Sequence, residues 1–145
     1  MQIRSFERPD EDAVIQLWER CGLTRPWNDP RKDIARKLGE QPELFLVGLH
    51  GDEPIASAMA GFDGHRGWVY YFAVAPEHRR RGCGRQLMAE VERRLVERGC
   101  PKLNLQVRSS NAQVLAFFRS LGYAQDEVIS LGRRLIEDAP PVGAD

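Results

Sequence analysis

The sequence predicts one mixed α/β domain, with a central sheet flanked by helices, and three observations support this fold class. The chain has 145 residues, a length that fits a single domain with a sizeable core. Segments of strand formers alternate with segments whose apolar residues recur at helical spacing. The order of these segments, β-α-α-β-β-β-α-β-α-β, runs through the chain without an internal repeat.

The N-terminal part is predicted to hold one strand and two helices. Residues 3–6 (IRSF) have strand composition, and the acidic residues after Pro9 suit the first turn of a helix. Asp29 can cap the second helix, with Pro30 at its first position. The first helix ends at Gly22, after four apolar residues at i, i+3, i+4 and i+7: Val14, Leu17, Trp18 and Cys21.

Three strands are predicted in the middle of the chain. Residues 44–49 (LFLVGL) and 55–62 (IASAMAGF) flank the segment HGDEP, which is typical of a hairpin connection. A second turn, DGHRG, leads into residues 68–76 (WVYYFAVAP), a run of strand formers that Pro76 ends.

The remainder is predicted to form helix, strand, helix and strand. A helix that opens near a Gly-x-Gly segment ends at Gly99, residues 103–107 (LNLQV) alternate as a strand, and residues 111–121 form a helix ended by Gly122. Residues 128–131 (VISL) are the predicted last strand. The first of these helices has one apolar face, made by Leu87, Met88, Val91 and Leu95.

Composition and charge disfavour several classes of protein. Lys+Arg and Asp+Glu are balanced at 21 each, whereas a dedicated nucleic-acid binder usually has a basic excess. The three cysteines, Cys21, Cys83 and Cys100, form no CxxC pair and predict reduced thiols in a reducing compartment. The charged N-terminus does not match a signal peptide, and no apolar run has the length of a membrane span. These features predict a cytoplasmic protein.

The strongest functional signal is the basic loop HRRRGCGRQLM (78–88), which lies between a predicted strand and a predicted helix. A helix N-terminus presents unpaired N–H groups and the positive end of a dipole, which together favour phosphate. Because glycine has no Cβ, a phosphate could approach the backbone closely at Gly82 and Gly84. The arginines of the loop add positive charge, so a ligand with several phosphates is predicted. A nucleic-acid patch and a solvated helix start are the alternatives.

Two known phosphate loops do not fit this segment. The dinucleotide fingerprint G-x-G-x-x-G fails because Leu87 occupies the third glycine position, and Arg108 stands where an acidic residue would follow the next strand. The P-loop fails because no Gly-Lys-Ser/Thr ending is present. The pattern that remains is R-x-x-G-x-G, residues 79–84.

This pattern resembles the acetyl-CoA pyrophosphate loop of the GNAT superfamily of N-acetyltransferases. YYFAVAPEHRRRGCGRQLM (70–88) is similar to the family's fourth strand, loop and third helix, and NAQVLAFFRSLGY (111–123) resembles its later Asn-to-Gly helix motif. Within the superfamily, four segments of the chain resemble the YpeA group of bacterial acetyltransferases: LWERCGLTRPWNDP, DGHRGW, RGCPKLN and SLGRRLIED.

The resemblance implies a single GNAT-like domain over residues 1–136 and a flexible tail over residues 137–145. The implied sheet is mixed and mostly antiparallel, with about six to seven strands and about four flanking helices. The implied reaction is direct transfer of an acetyl group from acetyl-CoA to a primary amine of a small molecule, peptide or protein, in a ternary complex and without a metal. CoA would contact the backbone of Phe72, Ala73 and Val74, the loop residues Arg79, Arg80, Arg81, Gly82, Cys83, Gly84 and Arg85, and the side chains of Asn111 and Phe118. A helix N-cap is the alternative for Asn111.

The chain departs from the family at the catalytic positions. Phe118 stands where many members have a tyrosine that protonates the departing sulfur, and the positions of a glutamate base hold Trp68 and Gln106. None of these three side chains can exchange a proton in those roles. Tyr70 is one candidate for a relocated acid, with a core or substrate-wall tyrosine as the alternative. His65 is the other candidate, because histidine changes charge near neutral pH; a surface histidine is its alternative.

Three residues are candidates for contacts with the acceptor. Trp27 and Asp29 precede the second helix, which often covers the acceptor site in this family, and Asp63 precedes the central strand. The alternatives are a core position for Trp27, a helix cap for Asp29 and a turn for Asp63. Together with the tyrosines of the strand, they favour a cationic, partly apolar acceptor.

Two further functions remain open from the sequence. A non-catalytic, regulatory acyl-CoA-binding module would explain Phe118 and Gln106, and a nucleic-acid-binding domain would use the basic loop. A homodimer is common in the family, and no membrane partner is predicted.

Overall fold

In a computed structural model of the chain, which describes residues 1–138, five strands form one sheet in the order β1-β2-β3-β4-β5. The first four strands pair antiparallel, and β5 pairs parallel with β4. The sheet is therefore mixed and mostly antiparallel, as predicted. The strands are β1 (Gln2–Ser5), β2 (Phe45–His50), β3 (Glu53–Phe62), β4 (Gly67–Val74) and β5 (Leu103–Leu105).

Four α-helices of residues 1–138 flank the sheet, and two of them begin at side-chain caps that the sequence predicts. The Asp29 carboxylate accepts hydrogen bonds from the backbone N–H groups of Arg31 and Lys32, and the Asn111 side chain accepts one from Val114. None of the helices in residues 1–138 is both long and apolar enough to cross a bilayer. The helices are α1 (Glu11–Arg20), α2 (Pro30–Leu38), α3 (Cys83–Glu97) and α4 (Ala112–Ser120).

The sheet is buried on both faces because its central strands carry apolar residues at successive positions. On β2, Phe45, Val47 and Leu49 pack with α1 and α2, while Leu46 faces α3. On β3, the buried residues facing α3 are Ala56, Ala58 and Ala60, which leave room for the large side chains of that helix. The α3 face consists of Leu87, Met88, Val91 and Leu95, as predicted.

A β-bulge interrupts the alternation of β4. Ser57 of β3 pairs with Ala73 and Met59 pairs with Tyr70, so Ala58 alone lies opposite two residues of β4. One of them, Tyr71, has a φ of 51°. Strict alternation predicts Val69, Tyr71 and Ala73 on one face. The bulge makes this prediction wrong, because Val69 packs on the α3 side and Tyr71 and Ala73 pack on the α1 side.

The sheet has fewer strands than the six to seven expected. Residues 128–131 form no strand, and three of their side chains are largely exposed: Val128, Ile129 and Leu131. Side chains of this segment and of the residue pair before it contact the residues that flank β5, Ser130 with Gln106 and Asp126 with Lys102, without the backbone hydrogen bonds of a ladder. Strand-forming composition alone does not make a strand when the neighbouring strand, β5, is only three residues long.

Of the predicted tail, residues 139–145 lie outside the described residues. Asp138 is buried, and its carboxylate accepts hydrogen bonds from the guanidinium of Arg36, while its backbone carbonyl accepts one from the Lys32 ammonium at 2.8 Å. The C-terminal segment thus crosses from β5 to α2.

Candidate active site

The N-terminus of α3 presents an open backbone surface surrounded by arginines. Gly82, at its N-cap, has a φ of 81°, and a Cβ built there would meet no atom within 4 Å. Arg80, Arg81 and Arg85 are exposed and form no ion pair with any residue from 1 to 138. The first turn of α3 contains no acidic residue. Free N–H groups, a positive helix end and three unpaired guanidinium groups together suit a ligand with several phosphates.

The other arginine of the loop, Arg79, points in a different direction. Its Nε donates a hydrogen bond to the carbonyl oxygen of Val74 at 3.1 Å, and its Nη2 lies 3.6 Å from the Sγ of Cys21. Arg79 therefore fastens the loop to the end of β4, which fixes where α3 begins relative to that strand.

Gly84 has a packing role that the sequence does not reveal. A Cβ at this position would lie 2.9 Å from the Cζ atom of Phe117 and 3.3 Å from that of Phe72. The missing side chain therefore lets α3 approach the aromatic rings of β4 and α4. The backbone at Gly82 is open, as the close approach of a phosphate requires, whereas this face of Gly84 is filled by aromatic rings.

A gap opens between β4 and β5 beside this loop. The two strands pair only from Gly67 to Val69 of β4, whereas β4 continues to Val74. The bulge lies in the unpaired stretch and is held from the opposite face. The buried Ser57 hydroxyl donates to the carbonyl oxygen of Tyr71 at 2.8 Å and accepts from the indole N–H of Trp18 at 2.8 Å.

The rings of Phe72, Phe117, Phe118 and Tyr123 form an aromatic cluster where β4 meets α4. Phe118 lies at its centre, only 4% exposed. Tyr123 donates a hydrogen bond from its hydroxyl to Glu92 on the outer side of α3, at 3.1 Å.

A cleft of about 510 Å³ lies on the other side of the bulge, between α2, β3 and β4. Because the bulge inserts one residue, the consecutive tyrosines Tyr70 and Tyr71 both line it. The described lining residues are Leu23, Arg25, Asn28, Asp33, Arg36, Lys37, Glu40, Met59, Tyr70, Tyr71 and Arg108.

The two tyrosines of the cleft have different environments. Tyr71 stacks on Trp18 with ring centroids 3.8 Å apart, and its hydroxyl donates to the Asp33 carboxylate at 2.6 Å. Burial and this carboxylate raise the pKa of Tyr71. The ring of Tyr70 is 51% exposed, and its hydroxyl makes no hydrogen bond to residues 1–138. Burial, with a smaller contribution from the negative charge of Asp63, raises the pKa of Tyr70.

Comparison with known proteins is consistent with this geometry. Residues 8–123 match the model of the acetyltransferase (GNAT) family. The chain belongs to the GNAT family of acetyltransferases. An acetyltransferase of Sodalis glossinidius is 51% identical over 139 residues, which cover 95% of this chain and 98% of that protein.

Solved structures of N-acetyltransferases share the fold. The ribosomal-protein-S18-alanine N-acetyltransferase of Escherichia coli superposes with a TM-score of 0.68 at 28% identity, over 83% of this chain and 76% of that one. An aminoglycoside N-acetyltransferase in complex with CoA superposes with a TM-score of 0.69 at 19% identity, over 93% of this chain and 100% of that one.

Within this GNAT acetyltransferase, the residues predicted for catalysis and for the acceptor lie at separate places. Tyr70 is in the cleft, whereas His65 is exposed in the turn between β3 and β4. Asp63 accepts hydrogen bonds from the backbone N–H groups of His65 and Arg66 in that turn, and they lower the pKa of Asp63. Asp29 caps α2, and Trp27 is 50% exposed. Of these five residues, only Tyr70 is among the described residues that line the cleft.

Sequence reasoning missed several residues of the GNAT site. Ser57 holds the bulge, Asp33 binds Tyr71, and Lys37 and Arg108 add charge to the cleft. On the sequence, Lys37 and Arg108 look like surface residues of a helix and a loop. The one available signal was Ser57, a polar residue within the apolar strand IASAMAGF.

Proposed function

We propose that this GNAT acetyltransferase transfers an acetyl group from acetyl-CoA to a primary amine of a small molecule, peptide or protein. The amine attacks directly, in a ternary complex. When bound, acetyl-CoA supplies an acetyl group activated as a thioester, and no metal takes part in the proposed reaction.

The observation that carries the proposal is the open start of α3 beside the gap between β4 and β5. The backbone at Gly82, with Arg80, Arg81 and Arg85, would hold the pyrophosphate. The likeness to an aminoglycoside acetyltransferase in complex with CoA supports this assignment.

The unpaired edge of β4 would hold the arm of the cofactor. Past Val69, the strand lacks a partner among residues 1–138 on the β5 side, so backbone groups from Phe72 to Val74 border the gap. Such groups can bind the amides of a pantetheine arm, and an N–H donor there can stabilise a developing oxyanion. Ser57 and Trp18 keep this part of the strand in place through the bulge.

Proton transfer has to differ from that of relatives with a tyrosine in α4, because Phe118 has no hydroxyl. We assign the acid to Tyr70, whose hydroxyl is free in the cleft, and not to Tyr71, whose proton is committed to Asp33. A thiol has a pKa near 8.5, so the sulfur can also leave as a thiolate. Glu40 is the carboxylate of the cleft that can accept the proton of an incoming ammonium, because Asp33 is bound to Tyr71 and Arg36.

Thermal unfolding with acetyl-CoA, CoA, NAD and ATP, each at the same concentration, tests the cofactor. A ligand at 100 times its dissociation constant adds about 2.7 kcal/mol, which for a domain of this size raises Tm by roughly 5–10 °C. We expect a shift with acetyl-CoA and CoA alone. The absence of a shift with either would refute the proposal.

Release of free thiol from acetyl-CoA in the presence of amines tests the transfer. The buried Phe118 favours one second candidate, a regulatory module that binds acyl-CoA without transferring the acetyl group. That candidate predicts the thermal shift without amine-dependent thiol release, whereas the proposed enzyme predicts both.

A further inference from the structure

The cleft beside Tyr70 carries more positive than negative charge. Its described lining includes four cationic side chains, Arg25, Arg36, Lys37 and Arg108, and two carboxylates, Asp33 and Glu40. This balance is opposite to the cationic acceptor that the sequence favours, because Asp29 and Asp63, on which that expectation rests, are outside the lining.

Part of this charge is neutralised within the protein. The guanidinium of Arg36 binds the carboxylate of Asp138 with two hydrogen bonds and also lies 3.3 Å from Asp33. Asp33 in turn accepts the hydroxyl of Tyr71. Arg36 and Asp33 are therefore engaged with protein partners.

The cations without a bound carboxylate are Lys37, Arg25 and Arg108. Against them stand Glu40 and one further negative charge, because the single guanidinium of Arg36 offsets only one of the two carboxylates that it contacts. None of the three cations forms an ion pair with another side chain of residues 1–138. Arg25 is held in place by hydrogen bonds from its Nη1 to the carbonyl oxygens of Gly22 and Thr24, at 2.7 and 3.0 Å. These bonds leave its Nη2 and Nε free to donate.

Lys37 is the most constrained of these cations. Its Nζ lies near Gly61 of β3, where a Cβ would be 3.5 Å away, and its side chain is half-buried. Burial and the charge of Arg98 lower the pKa of Lys37 to about 8, and the charge of Glu40 only partly opposes them. An anion that binds from outside would stabilise the charged form of this half-buried side chain, which has no bound carboxylate among residues 1–138.

We infer that the amine acceptor carries an oxyanion, a carboxylate or a phosphate, which Lys37, Arg25 and Arg108 bind in the cleft. This inference rests on the proposed function and names the substrate class of that same site. Lys37 lies beside Gly61, and the pairs Gly61–Trp68 and Met59–Tyr70 are two positions apart along β3 and β4, on the same face of the sheet. An acceptor with its anion at Lys37 thus extends towards Tyr70 and the gap beside β4, where its amine would react.

Matched acceptors test the inference. The probes are α-amino acids against their carboxamides, and O-phosphoethanolamine and glucosamine 6-phosphate against ethanolamine and glucosamine. We expect the wild-type enzyme to prefer the anionic member of at least one set, and the set with the larger preference distinguishes carboxylate from phosphate. We expect Lys37→Met to reduce that preference roughly 10- to 100-fold, mainly through KM, the range for a hydrogen bond to a charged group.

Two further variants make the result specific. Arg108→Gln should reduce the same preference, and Arg119→Gln, which removes an exposed arginine of α4 outside the cleft, should leave it unchanged. Lys37→Arg should retain it. The inference is overturned if the wild-type enzyme uses the neutral acceptors as well as the anionic ones, or better. It is also overturned if Lys37→Met lowers kcat/KM equally for both, because Lys37 would then act as a proton acceptor.

A binding measurement keeps the inference testable if no probe reacts. The same probes are added to the CoA complex, and anionic amines should raise its Tm while their neutral partners do not. Failure of every anionic amine in both assays overturns the inference. If CoA itself does not raise Tm, the proposed cofactor is refuted. That result is distinct from a failure of the anionic amines to raise the Tm of the CoA complex.

Discussion

Replacing Ser57 by alanine removes the hydroxyl that holds the bulge of β4. Ser57 and Trp18 are both fully buried. The hydroxyl accepts from the indole N–H and donates to the carbonyl oxygen of Tyr71, each at 2.8 Å. In Ser57→Ala, both partners lose a hydrogen bond where no other described group replaces it.

The expected cost follows from these two groups. A buried donor or acceptor left unsatisfied costs about 1–3 kcal/mol, and the carbonyl lies nearer the lower end of that range. We therefore expect Ser57→Ala to reduce the free energy of unfolding by about 2–4 kcal/mol. This is a large part of the stability of an ordinary domain, which is about 5–15 kcal/mol.

Denaturant unfolding measures this change, with Ser110→Ala, an exposed position after β5, as the matched control. A double-mutant cycle with Trp18→Phe separates the hydrogen bond from packing. Once Ser57 is alanine, the indole N–H has no partner to lose, so the two changes should couple by about 1 kcal/mol or more. A loss in Ser57→Ala no larger than in Ser110→Ala, or additive effects in the cycle, would refute the role of Ser57.

Three further predictions address the site. Gly84→Ala should lower the free energy of unfolding by about 1–3 kcal/mol despite its gain in helix propensity, because the new Cβ lies 2.9 Å from Phe117. The control is Gly132→Ala, which has open space around its Cβ, and equal stability of the two variants would contradict the packing role of Gly84. Phe118→Tyr should change kcat by less than about 10-fold, because Tyr70 already supplies the acid; a rise of 10-fold or more with CoA affinity retained would show that the acid was missing and would contradict the assignment of Tyr70. The ratio of kcat/KM for anionic over neutral acceptors should be highest below pH 8 and fall as the pH rises through about 8, since Lys37 then loses its charge; a ratio that stays flat from pH 7 to 9 would exclude Lys37 as the binding cation.

Local signals in the sequence account for most of the fold. The caps at Asp29 and Asn111 and the apolar face of α3 are encoded within a few residues, and the structure confirms them. The strand predicted at residues 128–131 is wrong because a strand needs a partner, and β5 is too short to provide one.

The bulge of β4 depends on residues far apart in the sequence. It is held by Trp18 of α1 and Ser57 of β3, so the alternation of β4 alone could not reveal it. Its consequence is that Tyr70 and Tyr71 share the cleft, whereas strict alternation places them on opposite faces.

The arginine-glycine loop and the cleft also differ in how far the sequence alone predicts them. The arginine-glycine loop is one continuous segment, and its position at the start of a helix could be predicted from the sequence. The cleft combines side chains from several elements, such as Lys37 of α2 and Arg108 after β5. Only the folded chain shows that these cations lie together and lack carboxylate partners among residues 1–138.

Titration of CoA into Gly82→Val and Gly99→Val tests the central claim, the phosphate site at the start of α3, most directly. The two glycines lie at opposite ends of α3, share a φ of 81°, and have no atom within 4 Å of a built Cβ. Valine therefore imposes a similar backbone strain at both positions, and thermal unfolding checks that both variants remain folded.

We expect calorimetry to show CoA affinity reduced at least roughly 10-fold in Gly82→Val, the value of one lost hydrogen bond to a charged group. Gly99→Val should bind CoA as the wild-type protein does. Pantetheine, which lacks the phosphates, should bind to the two variants with similar affinity. Equal CoA affinities in two folded variants would contradict the assignment of the phosphate site and, with it, the proposed binding of acetyl-CoA.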